Sequence, residues 1–407
     1  MRVTTVVLGD FGRSPRMQYH AEALAAHQID VDVVACAGSA VHAELRIHPR
    51  ITWHLLPPAR ERSLPRVLLL PAATWRAAVQ TLRLVWMLLA VLRKPDVILV
   101  QNPPAVPTLL IVLLAARLRG ARLVIDWHNL AWAVLALGVG ARHPAVALAR
   151  WYEGVLGRRA DAHLCVSGAL GDELTRWGMA PVTVVRDRPS ERFAPLEPAA
   201  RRSVRRGLLA SLGLGEREPA VVVSPTSWTR DEDFDLLLEA VRRCESLVAD
   251  RAFPEVLVLL TGRGARRAGF EARAAALPGR RFHVRTAWLE ADDYPRVLAA
   301  ADLGLCLHRS ASKLDLPMKI ADMHGAGLPV CALDYGPCLD EMLRHDDTGL
   351  RFADAETLAR QWVMLLATFP GAAPDLDRLR ANVAKARTPT WRQGWEAEAR
   401  EILLAHA

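Results

Sequence analysis

The sequence is poor in the residue patterns that build metal centres and disulfide frameworks. Its 407 residues contain six cysteines, and these form neither a CxxC motif nor a Cys/His cluster with the spacing of a zinc site. A disulfide-stabilised secreted domain and a zinc protein are therefore not expected, and a reducing cytosol is the expected environment. Motifs typical of DNA- or RNA-binding domains are also missing, so no nucleic-acid partner is predicted.

An apolar run long enough for a secretion signal is not found in the opening stretch. The opening stretch MRVTTVVLGD is too short for a signal peptide and is typical of a buried first strand. A mostly apolar region begins at Val67 and extends to Lys94, but Arg76 and Arg83 within it argue against a spanning helix. Two interpretations of this region remain open: a helix lying in a membrane interface, or a long helix packed in an α/β layer.

Lysine is rare, and positive charge is unevenly distributed. Four lysines stand beside 48 arginines, and residues 1–190 contain 22 Lys and Arg against 13 Asp and Glu, whereas the remainder has 30 against 31. The basic first half favours an anionic partner, such as a membrane surface or a phosphorylated substrate. An arginine-rich composition inherited from a GC-rich genome is the alternative explanation.

Apolar runs of strand length alternate with helical stretches along nearly the whole chain. This alternation predicts βα units that form parallel, doubly wound sheets. A segment rich in proline and charge interrupts it after Val185 and predicts a linker between two domains. The expected division is an N-terminal domain over 1–187, a linker over 188–205, a C-terminal domain over 206–387, and a helix over 388–407 that packs across the domain junction.

Ligands of open α/β sheets bind at the carboxyl ends of the strands, so the residues that follow each strand are the informative ones. The loop after the first strand predicts an anion site, formed by backbone at two glycines, a helix start and two arginines. Its candidate residues are Gly9, Gly12, Arg13, Ser14 and Arg16. A plain helix-capping turn is the alternative for this loop.

The stretch IDWHN places an acid and a histidine directly after another predicted strand. Asp126 and His128 are therefore candidates for a general base, with Asp10 at the end of the first strand as a third. A lone histidine is more often a structural hydrogen-bonding residue, and this is the competing interpretation.

Strand ends in the second half carry hydroxyl, glycine and charged residues. Ser227 suits phosphate or ribose binding, the turn at Gly262 permits close backbone approach, and the acids of TRDED suit helix capping. In KLDLPMKIADMHGAGLPV, Lys319 and a helix N-terminus suit a diphosphate, and Asp315 and Asp322 suit sugar hydroxyls.

Taken together, these motifs resemble the chitobiosyldiphosphodolichol β-mannosyltransferase family. The matching stretches are VVLGDFGRSPRMQYHAEALA, IDWHNLAW, SWTRDEDFDLLLEA, WLEADDYPRVLAAADLGLCLH and S-x-LDLPMKIADMHGAGLPVCAL. They occur in the family's order from Val6 to about Phe352. Eukaryotic members resemble this sequence only after an N-terminal spanning anchor, so an anchor-less, prokaryotic homologue is expected.

The resemblance implies a GT-B fold, in which two Rossmann-like domains face a cleft, with the acceptor mainly in the first and the nucleotide mainly in the second. It implies an inverting reaction: a base deprotonates an acceptor hydroxyl, which displaces GDP from GDP-mannose to form a β-mannoside. The implied partners are a nucleotide sugar, a polyprenyl-diphosphate-linked sugar and the inner face of the membrane, to which the protein binds peripherally from the cytoplasm. No metal is expected to be needed, and a divalent cation is expected at most to stimulate.

The donor residues depart from two GT-B patterns. Many such enzymes hold the diphosphate with an Arg and a Lys after the first strand of the second domain, where this sequence offers Arg230 alone. In the E-x7-E motif, Asp322 replaces the second glutamate and Leu314 the first. The full set of expected donor residues is Ser227, Arg230, Gly262, His308, Arg309, Asp315, Lys319, Asp322 and Glu341.

Two other functions remain compatible with the sequence. One is a GT-B glycosyltransferase that uses another nucleotide sugar or another acceptor. The second is a non-catalytic GT-B-like partner subunit that binds a nucleotide sugar and supports a separate transferase.

Overall fold

The alternation of strands and helices produces two parallel sheets, one in each of two structural units. The computed structural model describes residues 1–57, 78–215, 217–386 and 389–405. The first unit comprises Met1–Arg186 together with Arg392–Ala407, and the second comprises Asp187–Trp391. The C-terminal segment therefore belongs to the first unit, although it follows the second in the chain.

The first unit contains a seven-stranded sheet with the order β3-β2-β1-β4-β5-β6-β7, and every pairing is parallel. Its strands are β1 (Arg2–Asp10), β2 (Asp30–Cys36), β3 (Ile51–Leu56), β4 (Val97–Asn102), β5 (Arg122–Trp127), β6 (Ala162–Cys165) and β7 (Val182–Val184). Strand order reverses between β1 and β4, which creates the switch point where ligands of doubly wound sheets bind.

The second unit contains a six-stranded parallel sheet with the order β10-β9-β8-β11-β12-β13. Its strands are β8 (Ala220–Pro225), β9 (Val256–Thr261), β10 (Phe282–Ala287), β11 (Leu303–Cys306), β12 (Val330–Leu333) and β13 (Gly349–Phe352). Both units thus have the doubly wound architecture that the sequence predicts.

Sixteen helices are described beside these sheets. They are α1 (Pro15–Ala26), α2 (Ala43–Arg46), α3 (helical residues 78–86, continued by a π-helical turn at Met87–Val91), α4 (Thr108–Arg119), α5 (Ala131–Val139), α6 (Pro144–Gly157), α7 (Gly168–Arg176), α8 (Pro198–Ser211), α9 (Phe234–Leu247), α10 (Arg267–Ala274), α11 (Asp293–Ala300), α12 (Met318–Gly325), α13 (Ala355–Leu366), α14 (Pro374–Ala386), α15 (Trp391–Glu398) and α16 (Arg400–Leu404). Short 3₁₀ turns cover Phe11–Arg13 and Pro337–Glu341.

Local sequence explains where several of these helices begin and end. Proline occupies the first turn of α1, α6 and α8, where its missing N–H is not needed. Gly120 ends α4 with a φ of 60°, a left-handed conformation that glycine adopts without steric cost. In α9, Asp233 accepts a hydrogen bond from the Leu236 N–H and caps the helix.

The segment expected to be a linker, 188–205, contains the first half of α8. Two arginines of this helix, Arg201 and Arg205, donate to the carboxylate of Asp302, which is buried before β11. Arg380 of α14 donates to the same carboxylate, which also accepts the Val221 N–H. This network holds α8 to the sheet of the second unit, so the charged composition reflects buried ion pairing rather than a solvated linker.

The apolar region that begins at Val67 is described from residue 78 onward, and its part over 67–77 lies outside the described residues. Across the described part of the chain, no helix combines the length and the apolar character needed to cross a membrane.

Candidate active site

The carboxyl end of β5 carries a buried acid that is paired with an arginine. Asp126 is inaccessible to solvent. Arg16 on α1 donates to both carboxylate oxygens, from Nε and Nη2, at 2.8 Å each, and from Nη1 to the Val185 carbonyl at 2.7 Å. Because this guanidinium is 1% exposed and engaged with the protein, it connects the strand ends and does not present the phosphate-binding charge expected of Arg16.

His128 lies beside this carboxylate and reaches solvent. Its Nε2 is 3.0 Å from Oδ2 of Asp126, and 22% of its side chain is exposed. An Nε2–H that donates to the carboxylate leaves Nδ1 as the nitrogen that accepts a proton. An oriented, partly exposed imidazole is the arrangement that a general base requires.

The charge state of Asp126 suits an orienting role. Burial alone would raise the pKa of this carboxyl, but the charges on Arg16 and His128, with hydrogen bonds from His128 and His20, hold its pKa well below its usual range. Asp126 is therefore ionised at neutral pH. Of the two candidates in IDWHN, His128 is the one placed to take up a proton.

The C-terminal segment supports the same cluster through a second histidine. Nε2 of His20 lies 3.3 Å from Oδ2 of Asp126. Trp395 on α15 donates its indole N–H to Nδ1 of His20 at 3.0 Å. This bond leaves the proton of His20 on Nε2, facing the carboxylate, and burial lowers the pKa of His20 so that the ring is neutral. Helix α15 thereby fixes the orientation of a group that contacts Asp126.

The loop that carries His128 is held by a buried glutamate. Glu153 on α6 accepts the Ala131 and Trp132 N–H groups at 2.8 and 2.9 Å, and the Asn102 side-chain amide at 2.7 Å. The main-chain carbonyl of Asn102 in turn accepts the main-chain N–H of His128 at 2.9 Å. Burial raises the pKa of Glu153. These bonds fix the backbone on both sides of the candidate base.

The loop after β1 is closed around Asp10, the third candidate base. Its carboxylate accepts the N–H groups of Gly12 and Ser39 at 2.9 Å, and the Ser39 hydroxyl at 2.7 Å. A Cβ on Gly12 would lie 2.3 Å from the Ser39 carbonyl oxygen, so this position requires glycine. These bonds make Asp10 a loop-closing acceptor. Arg13 remains exposed beside it.

Two other residues predicted for this anion site have less specific surroundings. The Ser14 hydroxyl donates to the Asp10 carbonyl at 3.2 Å and does not cap α1. At Gly9, a Cβ would meet a single side-chain atom at 4.0 Å, so no close approach explains the glycine.

In the second unit, the loop after β8 forms a polar cluster around Glu232. This buried carboxylate accepts the N–H groups of Ser227, at 3.0 Å, and Thr229, at 3.3 Å. It also forms an ion pair with Lys319 of α12. Because 22% of the Lys319 side chain is exposed, its ammonium is accessible to a ligand as well as to the carboxylate.

A partly buried histidine bridges two acids next to this cluster. His308 lies between Asp231 and Asp315, with its Nδ1 and Nε2 each 3.0 Å from a carboxylate oxygen. Burial would lower its pKa, but the two acids raise it to about 9, so the ring is an imidazolium at neutral pH. Ser310 and Ser312 also donate to Asp315. His308 is thus a partly buried positive charge that fixes the loop carrying Asp315.

Asp322 of α12 lies in different surroundings from Asp315. Its Oδ2 accepts the Tyr294 hydroxyl at 3.1 Å, and its buried Oδ1 has no hydrogen-bond partner among the residues that the structure describes. Burial and the neighbouring Asp187 raise its pKa to about 7. The two acids of KLDLPMKIADMHGAGLPV that the sequence predicts to bind sugar hydroxyls therefore do not converge: Asp315 belongs to the His308 network and Asp322 contacts Tyr294.

Comparisons with known proteins decide the family. The sequence profile described as a glycosyl transferase 4-like domain matches residues 12–188. The human protein named chitobiosyldiphosphodolichol β-mannosyltransferase is 38% identical over an alignment that covers 97% of this chain and 90% of that protein. The chain belongs to this β-mannosyltransferase family, and it is a glycosyltransferase.

Two further comparisons add to this assignment. An Arabidopsis thaliana protein named UDP-glycosyltransferase TURAN is 37% identical, with 99% of this chain and 97% of that protein covered. The crystal structure of WaaG, a glycosyltransferase involved in lipopolysaccharide biosynthesis, aligns with a TM-score of 0.65 and 16% identity over 99% of both chains. This structural likeness confirms the expected GT-B fold.

The remaining expected donor residues are spread over several loops of the second unit. Arg230 is exposed, and Arg309 donates to Asp233 at 2.9 Å. Gly262 has a φ of 111° and lies against the Thr226 carbonyl, where a Cβ would be 2.0 Å away. Glu341 is half-buried at the end of a 3₁₀ turn.

Sequence reasoning missed three residues that organise the mannosyltransferase's candidate site. Glu153 was indistinguishable from a surface residue of an amphipathic helix, although it holds the His128 loop. Asp231 and Glu232 were expected to cap a helix, yet only Asp233 does so, and the other two contact His308 and Lys319. No signal in the local sequence identifies these partners, because 77 and 87 residues separate the paired positions.

Within the described residues, no group of three or more His, Cys, Asp or Glu side chains is arranged to hold a metal ion. Positive groups near the strand ends of the second unit include Lys319, Arg309 and the imidazolium of His308. Cationic side chains of this kind can stabilise a departing diphosphate.

Proposed function

We propose that this glycosyltransferase moves mannose from GDP-mannose to a sugar carried on a polyprenyl diphosphate, with inversion to a β-mannoside. The observation that carries the proposal is the Asp126–His128 pair in the first unit. In this scheme, Nδ1 of His128 takes the proton from an acceptor hydroxyl as its oxygen attacks the anomeric carbon, and Asp126 stabilises the imidazolium that forms.

The donor is assigned to the second unit on the basis of its cationic side chains. As the bond between the sugar and the diphosphate breaks, negative charge develops on GDP. Lys319, which is partly exposed, and Arg309, which is exposed, are the side chains proposed to meet this charge. In that event, the ammonium of Lys319 is shared between Glu232 and a phosphate oxygen.

The proposed chemistry needs no metal ion, because the charge on the leaving group is met by side chains. Turnover is expected to persist in EDTA, with divalent cations stimulating at most. Loss of turnover in EDTA, with recovery on adding Mg²⁺ or Mn²⁺, would overturn this part of the proposal.

The site of action follows from the acceptor. A polyprenyl chain keeps its diphosphate at the membrane surface, so we place the protein on the cytoplasmic side as a peripheral protein of the inner face. The name of the human relative supports a lipid-linked acceptor, since chitobiosyldiphosphodolichol is such a molecule.

A donor screen tests the proposal. Purified protein is offered GDP-mannose, GDP-fucose, UDP-GlcNAc and UDP-glucose, each with polyprenyl-diphosphate chitobiose, and nucleotide release and extended glycolipid are measured. Transfer from GDP-mannose is expected. Transfer restricted to a UDP sugar would overturn the donor assignment and favour the second candidate, a UDP-sugar transferase, which the name of the Arabidopsis relative supports.

A further inference from the structure

Exposed hydrophobic side chains are distributed very unevenly over the described residues. Eighteen large hydrophobic side chains are exposed, and fifteen of these belong to the first unit. Thirteen of the fifteen lie between Leu82 and Trp151, in the helices α3 to α6 and their connections. Single exposed apolar residues are ordinary, but a concentration of this kind marks an interaction surface.

These side chains form stripes along neighbouring helices. On α4, Leu110, Leu114 and Leu118 follow one another at intervals of four and are 41%, 53% and 73% exposed. This spacing places them on one side of the helix. The opposite side of α4, including Leu109 and Val112, is buried.

Two adjacent helices extend the stripe. Arg119 of α4 donates to the Leu88 and Leu92 carbonyls at the end of α3, and Tyr152 of α6 donates its hydroxyl to the Pro107 carbonyl at the start of α4. The three helices are therefore neighbours. We call their outward apolar residues the apolar face, which comprises Leu82, Trp86, Leu110, Leu114, Leu118 and Trp151.

The segment that contains the apolar face is rich in basic residues. Residues 78–159 include ten Lys and Arg but three acids, Asp96, Asp126 and Glu153. Two of these acids, Asp126 and Glu153, are fully buried. By contrast, the basic residues Arg83, Arg93, Lys94, Arg117, Arg142, Arg150, Arg158 and Arg159 are exposed.

We infer that the apolar face docks onto an anionic lipid bilayer, with its leucines and tryptophans in the interface and the surrounding arginines at the headgroups. Apolar residues in a segment whose exposed charges are mostly basic complement a negatively charged surface that has an apolar interior. This contact identifies the membrane surface that the proposed function requires. It rests on the proposed function in one respect only: the acceptor that the enzyme must reach is attached to a lipid.

Vesicle binding without any sugar substrate tests the apolar face. The full chain is sedimented with phosphatidylcholine vesicles that contain or lack phosphatidylglycerol, at low and at high salt. Binding is expected only with the anionic lipid, and release is expected at high salt. No binding to anionic vesicles at low salt would overturn the inference.

Matched variants then locate the contact. The triple variant Leu114→Gln, Leu118→Gln, Trp151→Gln is expected to lower vesicle partitioning at least about tenfold. Leu247→Gln with Met364→Gln, at exposed positions of the second unit, serves as the control and should bind as the wild type does. Equal binding by the triple variant and the wild type would overturn the assignment, provided that circular dichroism shows both folded.

A charge-neutralising pair examines the basic residues separately. Arg117→Gln with Arg142→Gln should weaken binding and its salt dependence, whereas Arg202→Gln with Arg206→Gln on α8 should not. Light scattering adds an independent outcome: if the wild type is a dimer that the triple variant dissociates, the apolar face is a contact between copies of this chain and the inference is wrong.

Activity on a water-soluble, short-prenyl acceptor separates this inference from the proposed function. The triple variant should keep its turnover on that acceptor and lose turnover on acceptor embedded in vesicles. Vesicle binding that maps to the apolar face, in a protein that transfers no mannose to either acceptor, would refute the proposed function and leave the membrane contact standing.

Discussion

The buried pair of Arg16 and Asp126 gives the sharpest prediction about the first unit. Replacing Arg16 by Met fills much of its volume but removes both hydrogen bonds to the Asp126 carboxylate and the bond to the Val185 carbonyl. Breaking a buried ion pair on one side costs about 3–5 kcal/mol, because the remaining charge is left uncompensated. Since a folded domain is stable by only about 5–15 kcal/mol, the Arg16→Met change should lower the melting temperature of the first unit by about 10 °C.

The pH dependence of this loss follows from the low pKa of Asp126 in the folded protein. A carboxyl whose pKa is depressed by folding stabilises the folded state above its unfolded pKa of about 3.9, and this contribution disappears as pH falls through the folded value. The difference in unfolding free energy between wild type and Arg16→Met should therefore be largest near neutral pH and should narrow in acid.

Thermal and chemical unfolding of the full-length protein, each followed by tryptophan fluorescence, measure the melting temperature and the unfolding free energy. The double variant Arg16→Met with Asp126→Asn is the control, because it removes both charges and should be more stable than Arg16→Met alone. Two results would refute the reasoning: a melting temperature within a degree or two of the wild type, or a variant of full stability whose only defect is a raised KM for the acceptor. The second result would restore the phosphate-binding role that the sequence suggested.

Three further predictions concern single groups. His128→Ala should lower kcat about 10²- to 10⁴-fold with little change in melting temperature, and Asp126→Asn should lower kcat with it; a kcat within threefold of wild type for His128→Ala would exclude this base. Lys319→Ala should weaken GDP binding, measured by calorimetry, about 10- to 100-fold, whereas Glu232→Gln should leave it unchanged or tighter; equal GDP affinity in wild type and Lys319→Ala would remove this contact. Asp322→Asn should gain stability relative to wild type as pH rises from 5 to 8. A carboxyl whose folded pKa is raised to about 7 ionises more readily in the unfolded protein, and this lowers the stability of the wild type as pH rises. A stability difference that does not change with pH would contradict the raised pKa of Asp322.

Most of the fold could be predicted from periodicity. The apolar runs that become β1, β2, β4, β5 and the strands of the second sheet are Val-, Leu- and Ile-rich because parallel strands are buried on both faces. Helix limits are also close to what the sequence indicates: the residues from about Ser14 to His27 predict a helix, and α1 occupies Pro15–Ala26. The short elements α2 and β3 were not foreseen, since they lie in a stretch without clear periodicity.

The composition of 188–205 is a poor guide to its structure, because two of its arginines pair with a buried acid. The proline and arginine content of 188–205 is typical of a linker, but Pro198 starts a helix, and Arg201 and Arg205 are drawn to the buried Asp302. Whether an arginine is solvated or paired depends on a residue about a hundred positions away, and spacing within a segment carries no information about that residue.

The location of the candidate site could be predicted better than the roles of its residues. Strand-end logic identified Asp126 and His128, which the structure brings together, and it identified Lys319. The strand-end position of Arg16 does not indicate that its side chain forms a buried ion pair. Nothing in the local sequence indicates that His20 and Trp395, from opposite ends of the chain, form a hydrogen bond next to Asp126. Such contacts depend on side-chain geometry after folding.

The central claim is that this chain forms a β-mannoside from GDP-mannose on a lipid-diphosphate acceptor. Linkage analysis of the purified product, with the one-bond carbon–proton coupling at the new anomeric centre measured by NMR, tests it most directly. We expect a single new β-linked mannose, formed by the wild type and strongly reduced in His128→Ala. An α-linked mannose, or a sugar other than mannose as the transferred residue, would contradict it.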